Sequence, residues 1–184
     1  MKNLRIALGL VLASAAAISA QEVVTPRFEI GLNYSGLHVK GQDGDKQRTG
    51  NGGSGSFEWN VNKVLGVVAD FGGYANTRVD GRAMTYLFGP RFNWRTARLT
   101  PYVQFLFGGA YLWTDLDGPR PAQTYNSFAF ASGGGIDYNL TRLISIKPVQ
   151  VEYIMTQFDS TKGFGSRQND VRYSAGVSLK FGQR

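Results

Sequence analysis

The stretch VRYSAGVSLKF, residues 171–181, decides the fold. Val171, Tyr173, Ala175, Val177, Leu179 and Phe181 alternate with Arg172, Ser174, Gly176, Ser178 and Lys180. A period of two sends successive side chains to opposite faces of a strand. One face is therefore apolar, and the other is small and polar. At the 3.6-residue period of a helix the same residues would mix around the axis.

Working back toward the N-terminus, seven further segments read the same way. Phe28, Ile30, Leu32 and Tyr34 oppose Glu29, Gly31, Asn33 and Ser35; Phe57, Trp59 and Val61 oppose Ser56, Glu58 and Asn60. Leu65, Val67, Ala69 and Phe71 oppose Gly66, Val68, Asp70 and Gly72. Met84, Tyr86, Phe88, Phe92 and Trp94 oppose Thr85, Leu87, Gly89, Arg91 and Asn93. Val103, Phe105, Phe107, Tyr111 and Trp113 oppose Tyr102, Gln104, Gly108 and Ala110. Phe128, Phe130, Ile136 and Tyr138 oppose Ala129, Ala131, Gly133, Gly135 and Asp137. The seventh segment runs Ile144, Ile146, then Val149, Val151, Tyr153 and Met155; its parity slips at Pro148, where a bulge would absorb the proline and reset the face. An even count lets the first and last strands pair antiparallel and remove both sheet edges. The fold class expected is all-β, an eight-stranded antiparallel up-and-down barrel.

The connections add direction. Short turns fall near residues 62–64, 95–99 and 139–143, and longer polar loops near 40–49, 114–125 and 159–168; one loop on the long side, 76–81, is also short. Both ends of the barrel segment fall on the short-turn side. Outer-membrane barrels have this asymmetry, with short periplasmic turns and longer extracellular loops. Ahead of the strands, Lys2 and Arg5 precede an apolar run from Ile6 to Ala17 and the small-residue end Ile18-Ser19-Ala20, the plan of a secretory signal peptide cleaved after Ala20. The expected organisation is a signal peptide over 1–20 and an outer-membrane barrel domain over 21–184. The chain has 184 residues, a formal charge of +7 and no cysteine, which excludes disulfides, thiolate metal sites and a lipidated cysteine. Export makes nucleic acid a poor partner for the positive charge.

Residue size separates a membrane barrel from a soluble ligand-binding barrel of lipocalin type, which places its apolar face inward. Here the polar face is rich in Gly, Ala and Ser, suited to a narrow lumen, whereas the apolar face carries more bulk than such a lumen could hold. Phe28, Trp59, Trp94, Tyr138 and Phe181 gather near the short-turn end, and Tyr86, Tyr111, Trp113 and Phe128 toward the loop end. Two aromatic girdles flanking an apolar band of about 25 Å are the expected membrane arrangement. The lumen then holds Glu29, Glu58, Asp70, Asp137 and Glu152 against Arg91, Lys147, Arg172 and Lys180. Such charges must be paired and hydrogen-bonded. They read as a salt-bridged plug, with an ion-conducting path as the alternative.

The chain from Arg27 onward resembles the eight-stranded outer-membrane barrels grouped with OmpX and the OmpA transmembrane domain. The resemblance is carried by Gly133-Gly134-Gly135-Ile136-Asp137-Tyr138, by Ile146-Lys147-Pro148-Val149-Gln150-Val151-Glu152-Tyr153, and by the last strand ending at Phe181. It implies a bacterial outer-membrane location, insertion by the barrel-assembly machinery, and contact with outer-membrane lipids and lipopolysaccharide. A monomer without cofactor is expected. Barrels of this family usually end on an aromatic residue, whereas Gly182-Gln183-Arg184 follow Phe181 here. The peptidoglycan-binding domain of full OmpA proteins has no counterpart in this sequence.

Several motifs invite other readings. Gly50-Asn51-Gly52-Gly53-Ser54-Gly55 matches G-x-G-x-x-G, but it lacks the preceding strand and following helix of a dinucleotide site and reads as a flexible loop end. The single histidine, His38, with Ser35 or Asp80 could suggest a lipid A-modifying enzyme, but the spacing assembles no triad. Asp43, Asp45, Asp115 and Asp117 fall short of a calcium loop. Lys40, Lys46, Arg48, Lys162 and Arg167 could meet lipopolysaccharide phosphates. The expected role is non-enzymatic: a closed barrel displaying loops for envelope integrity, adhesion or surface contact.

Overall fold

A computed structural model describes residues 25–39, 48–76, 81–114, 123–157 and 168–183. The expected signal peptide, Asp80, and loop residues including Lys40, Asp43, Asp115 and Lys162 lie outside the described residues. Eight strands follow in chain order: β1 Pro26–Val39, β2 Arg48–Asn60, β3 Leu65–Asn76, β4 Gly81–Asn93, β5 Leu99–Thr114, β6 Gln123–Asn139, β7 Ile144–Gln157 and β8 Gln168–Gln183. Each pairs antiparallel with its neighbour, and β1 with β8 closes the barrel. The closing register sets Phe28 against Phe181 and Glu29 against Lys180. No edge is left to template association.

Alternation puts most bulky apolar side chains outward and most polar ones inward. Phe88, Phe107, Trp59 and Phe181 are exposed on the outer face, and Glu58, Arg91, Glu152 and Arg172 are buried in the lumen. The β7 bulge lies where the parity slips: the pairing with β8 shifts between Lys147 and Gln150. Lys147 and Gln150 consequently both point inward and are buried.

Two expectations change. The glycine-rich run at Gly50–Gly55 is strand rather than loop end, because it is paired on both sides. Gly50 to Gly55 face Leu37 to Leu32 of β1, and Asn51 to Gly55 face Ala75 to Phe71 of β3. Full pairing overrides the weak strand preference of glycine. The lumen is also less polar than expected. Val68, Leu87, Leu106, Ala110, Ala129, Ala131 and Ile154 form a buried apolar cluster on the inner wall of β3–β7.

The three short turns share one device: a polar side chain caps the backbone. Asn62 Oδ1 accepts from the amides of Val64 and Leu65, each at 2.8 Å. Thr141 Oγ1 accepts from Leu143 (3.2 Å) and Ile144 (3.0 Å), and Thr96 Oγ1 donates to the Leu99 carbonyl at 2.6 Å. Short side-chain oxygens stabilise tight turns in this way.

Candidate functional site: the lumen and the outer belt

Two charged networks fill the lumen. The first closes the short-turn end. Arg91 Nη1 donates to Glu58 Oε2 (2.6 Å), and Asn93 Nδ2 donates to Glu58 Oε1 (2.7 Å). Arg95 Nη2 reaches Glu29 Oε1 at 2.8 Å and Asn60 Oδ1 at 2.7 Å, while Asn60 Nδ2 donates to the same Glu29 oxygen at 3.0 Å. Lys180 Nζ lies 3.9 Å from Glu29 Oε2 and also donates to Asn139 Oδ1. The Arg91 guanidinium stacks 3.5 Å from the centroid of the Tyr102 ring.

The second network sits further along the barrel and ties three walls together. Arg172, fully buried on β8, donates through Nη1 to Asp70 Oδ1 and Tyr74 Oη of β3, both at 2.8 Å. Its Nε donates to Glu152 Oε2 of β7 at 2.6 Å. Gln104 Nε2 (2.6 Å) and Gln150 Nε2 (2.7 Å) complete the Glu152 carboxylate, and Tyr102 Oη donates to Gln150 Oε1 at 2.7 Å. The glycines of β6 make room for this network. A Cβ on Gly135 would sit 2.6 Å from Tyr102 Oη, and one on Gly133 2.7 Å from Glu152 Cγ.

Seven of the nine expected lumen charges therefore fall into these networks. Asp137 and Lys147 are equally buried but have no ion-pair partner among the described residues. Arg95, Tyr74 and Asp170 also contribute buried polar groups that the sequence reading passed over. Arg95 was detectable, since it continues the inward parity of Arg91 and Asn93 into the turn.

On the outer face Phe28, Trp59, Trp94, Tyr138 and Phe181 lie at the short-turn end, with Phe28 paired to both Trp59 and Phe181. Toward the loops, the Tyr86 and Tyr111 rings pack at 5.5 Å and Phe128 is exposed beside them; the backbone of Trp113 belongs to β5, and its side chain lies outside the described residues. Between the two groups the belt is apolar, with Phe71 and Phe88 at 5.6 Å and Phe107 and Phe130 at 5.0 Å.

Of the candidate catalytic residues, Asp80 lies outside the described residues, and Ser35 and His38 do not face one another. Ser35 points into the lumen, where its hydroxyl lies 2.8 Å from Ser174, whereas His38 is on the opposite face of the same strand. Among the described residues no cluster of three His, Cys, Asp or Glu side chains could hold a metal.

The family profile described as outer membrane protein beta-barrel domain matches residues 6–181. No curated protein matches the chain by sequence. Among solved structures, Neisserial surface protein A superposes with a TM-score of 0.71 at 17% identity, covering 87% of this chain and 100% of that one. The attachment invasion locus protein Ail of Yersinia pestis gives 0.56 at 16% identity, covering 88% and 100% of the two chains. The N-terminal β-barrel domain of Pseudomonas aeruginosa OprF gives 0.56 at 14% identity, covering 85% and 100%. At these identities the likeness is one of fold. With the profile spanning nearly the whole chain and the closed barrel under it, the protein belongs to the outer membrane protein beta-barrel domain family and resides in the bacterial outer membrane.

Proposed function

We propose that this protein is a non-enzymatic, non-conducting barrel whose work is done by the loops it holds outside the cell and by its contact with lipid. The observation that carries this reading is the filled lumen: Leu87, Leu106, Glu152 and Arg172 are each 0% exposed. An eight-stranded barrel leaves an interior about wide enough for side chains to fill. Here they do so with ion pairs below and an apolar cluster beside them. An ion entering would have to displace Arg172 from two carboxylates or dehydrate past Leu87 and Leu106, and either route costs several kcal/mol. A rigid closed sheet carrying loops is a display scaffold. The purified protein in planar bilayers is expected to be silent at all voltages, and deletion of the 115–122 loop to reduce cell-surface adhesion. Discrete conductance that changes on neutralising Arg91 or Glu152 would replace this reading with the channel.

In this proposal the aromatic groups at the two ends of the outer face are interfacial girdles, and the chain enters the membrane through the barrel-assembly machinery as a monomer. One surface feature favours lipopolysaccharide as a contact. A trough of about 630 Å³ near the loop end is lined by Asn51, Gly73, Ala75, Arg82 and Met84. Arg82 is exposed there, just beyond Tyr86 on the loop side. That is the height at which lipid phosphates would sit. Arg82→Ala should reduce retention of lipid A by the purified barrel by several-fold while leaving retention of dephosphorylated lipid A unchanged. Equal retention of both lipids by both proteins would remove Arg82 as a phosphate contact.

A further inference from the structure

The two lumen charges that escape the networks lie together, and so do several polar atoms without partners. Asp137 on β6 is paired with Thr100 on β5, and on its other side it faces the β7 bulge that carries Lys147. All three residues are 2% exposed, and Ser145, one inward position from Lys147, is 0% exposed. Thr100 Oγ1, Asp137 Oδ1, Ser145 Oγ and Arg91 Nε have no hydrogen-bond partner. These positions lie at the short-turn end, where all three turns are described. Lys147 Nζ has a ring contact, 5.6 Å from the centroid of Tyr102, but no carboxylate at ion-pair distance among the described residues.

A buried polar atom left unsatisfied carries its full desolvation cost, and several at one end of the lumen, beside an unpaired ammonium, would take a large share of a domain's net stability. Orphaned buried groups in a native interior mark an ordered water or an ion. Donor and acceptor chemistry decides between these. The lower lumen holds the cations Arg91, Arg95, Lys147 and Lys180 against the carboxylates Glu29, Glu58 and Asp137, so charge alone would admit an anion. The unpartnered atoms, however, include an acceptor at Asp137 Oδ1 as well as a donor at Arg91 Nε, with hydroxyls able to act either way. An anion cannot donate to Asp137 Oδ1 and a metal cation cannot accept from Lys147 Nζ, so an occupant that both donates and accepts is required.

We propose that the lower lumen holds a sealed water site in which one or more ordered waters bridge Lys147 Nζ to Asp137 Oδ1 and satisfy Thr100 and Ser145. The bulge at Pro148 creates it, by leaving Lys147 a step away from the Asp137 carboxylate. The Arg95, Glu29 and Asn60 network closes it from below.

The test is a crystal structure of the detergent-solubilised barrel at about 1.5 Å, from crystals soaked in sodium bromide and collected at the bromine edge. The expected result is density within hydrogen-bond distance of both Lys147 Nζ and Asp137 Oδ1, without anomalous signal. Anomalous density there would make it an anion site. A direct Lys147–Asp137 contact with no intervening density would show there is no site. Both results overturn the proposal. In solution, the amides of Thr100 and Ser145 should show nuclear Overhauser contacts to long-lived water in the wild type and lose them in Lys147→Met. Contacts that persist unchanged in that variant would separate the water from Lys147 and equally refute the bridge.

Discussion

Replacing Arg172 with methionine removes the cation that joins three walls of the barrel. The side chain is fully buried, and it serves Asp70 at 2.8 Å, Glu152 at 2.6 Å and the Tyr74 hydroxyl at 2.8 Å. Summing three charge-assisted bonds at 1.5–3 kcal/mol each would suggest roughly 4.5–9 kcal/mol. That sum overcounts, because the wild type already bears the desolvation of the guanidinium. Breaking a buried pair by removing one partner costs about 3–5 kcal/mol, since the other charge stays buried and uncompensated. Two carboxylates are stranded here, so the upper part of that range, about 4–5 kcal/mol, is expected. Equilibrium urea unfolding in lipid vesicles, followed by the fluorescence of the outward-facing Trp59 and Trp94, measures it. Adding Asp70→Asn and Glu152→Gln to Arg172→Met removes the stranded charges and should recover most of the loss. A cost under about 1 kcal/mol for Arg172→Met, or no recovery in the triple variant, would refute the claim that these charges are dry and mutually dependent.

Two further substitutions probe the outer face and the lumen packing. Phe107 is at mid-strand on the outer face, 5.0 Å from Phe130; Phe107→Arg should cost about 2–4 kcal/mol, as a cation at the bilayer midplane does, whereas Leu140→Arg in a short turn should cost almost nothing. Equal costs in the same vesicle assay would mean that Phe107 is not in hydrocarbon. Gly135→Ala places a methyl group 2.6 Å from both Tyr102 Oη and the Val149 carbonyl and should destabilise by about 1–3 kcal/mol, whereas Gly36→Ala meets nothing within 4 Å and should be near neutral. A neutral Gly135→Ala would show that Tyr102 and its bond to Gln150 can move freely.

Period two in the sequence carries one kind of information well. It assigns each residue to a face, so the parity slip at Pro148 and the inward parity of the expected charges could be read from it, whereas closure was an inference from the even strand count. It failed at Gly50–Gly55, where glycines leave no alternation to read. That segment becomes a strand because its neighbours β1 and β3 supply partners for its backbone, and Leu32 and Tyr34 stand 65% exposed opposite its bare glycines.

What alternation cannot convey is which inward residues meet. Arg172 finds Asp70 across 102 residues of chain because barrel tilt and stagger bring β8 and β3 to one level, and that stagger is a property of closure rather than of any one strand. The same limit hid the apolar cluster. Val68 and Leu87 read as isolated exceptions on two polar faces, and only register unites them with Leu106 and Ile154. It also hid the mismatch at Asp137 and Lys147. A near balance of charge in the sequence is compatible with complete direct pairing, and a single bulge suffices to hold one cation away from one carboxylate. The composition of the lumen was therefore legible and its wiring was not, because wiring depends on three-dimensional offsets of a few ångströms that no one-dimensional period records.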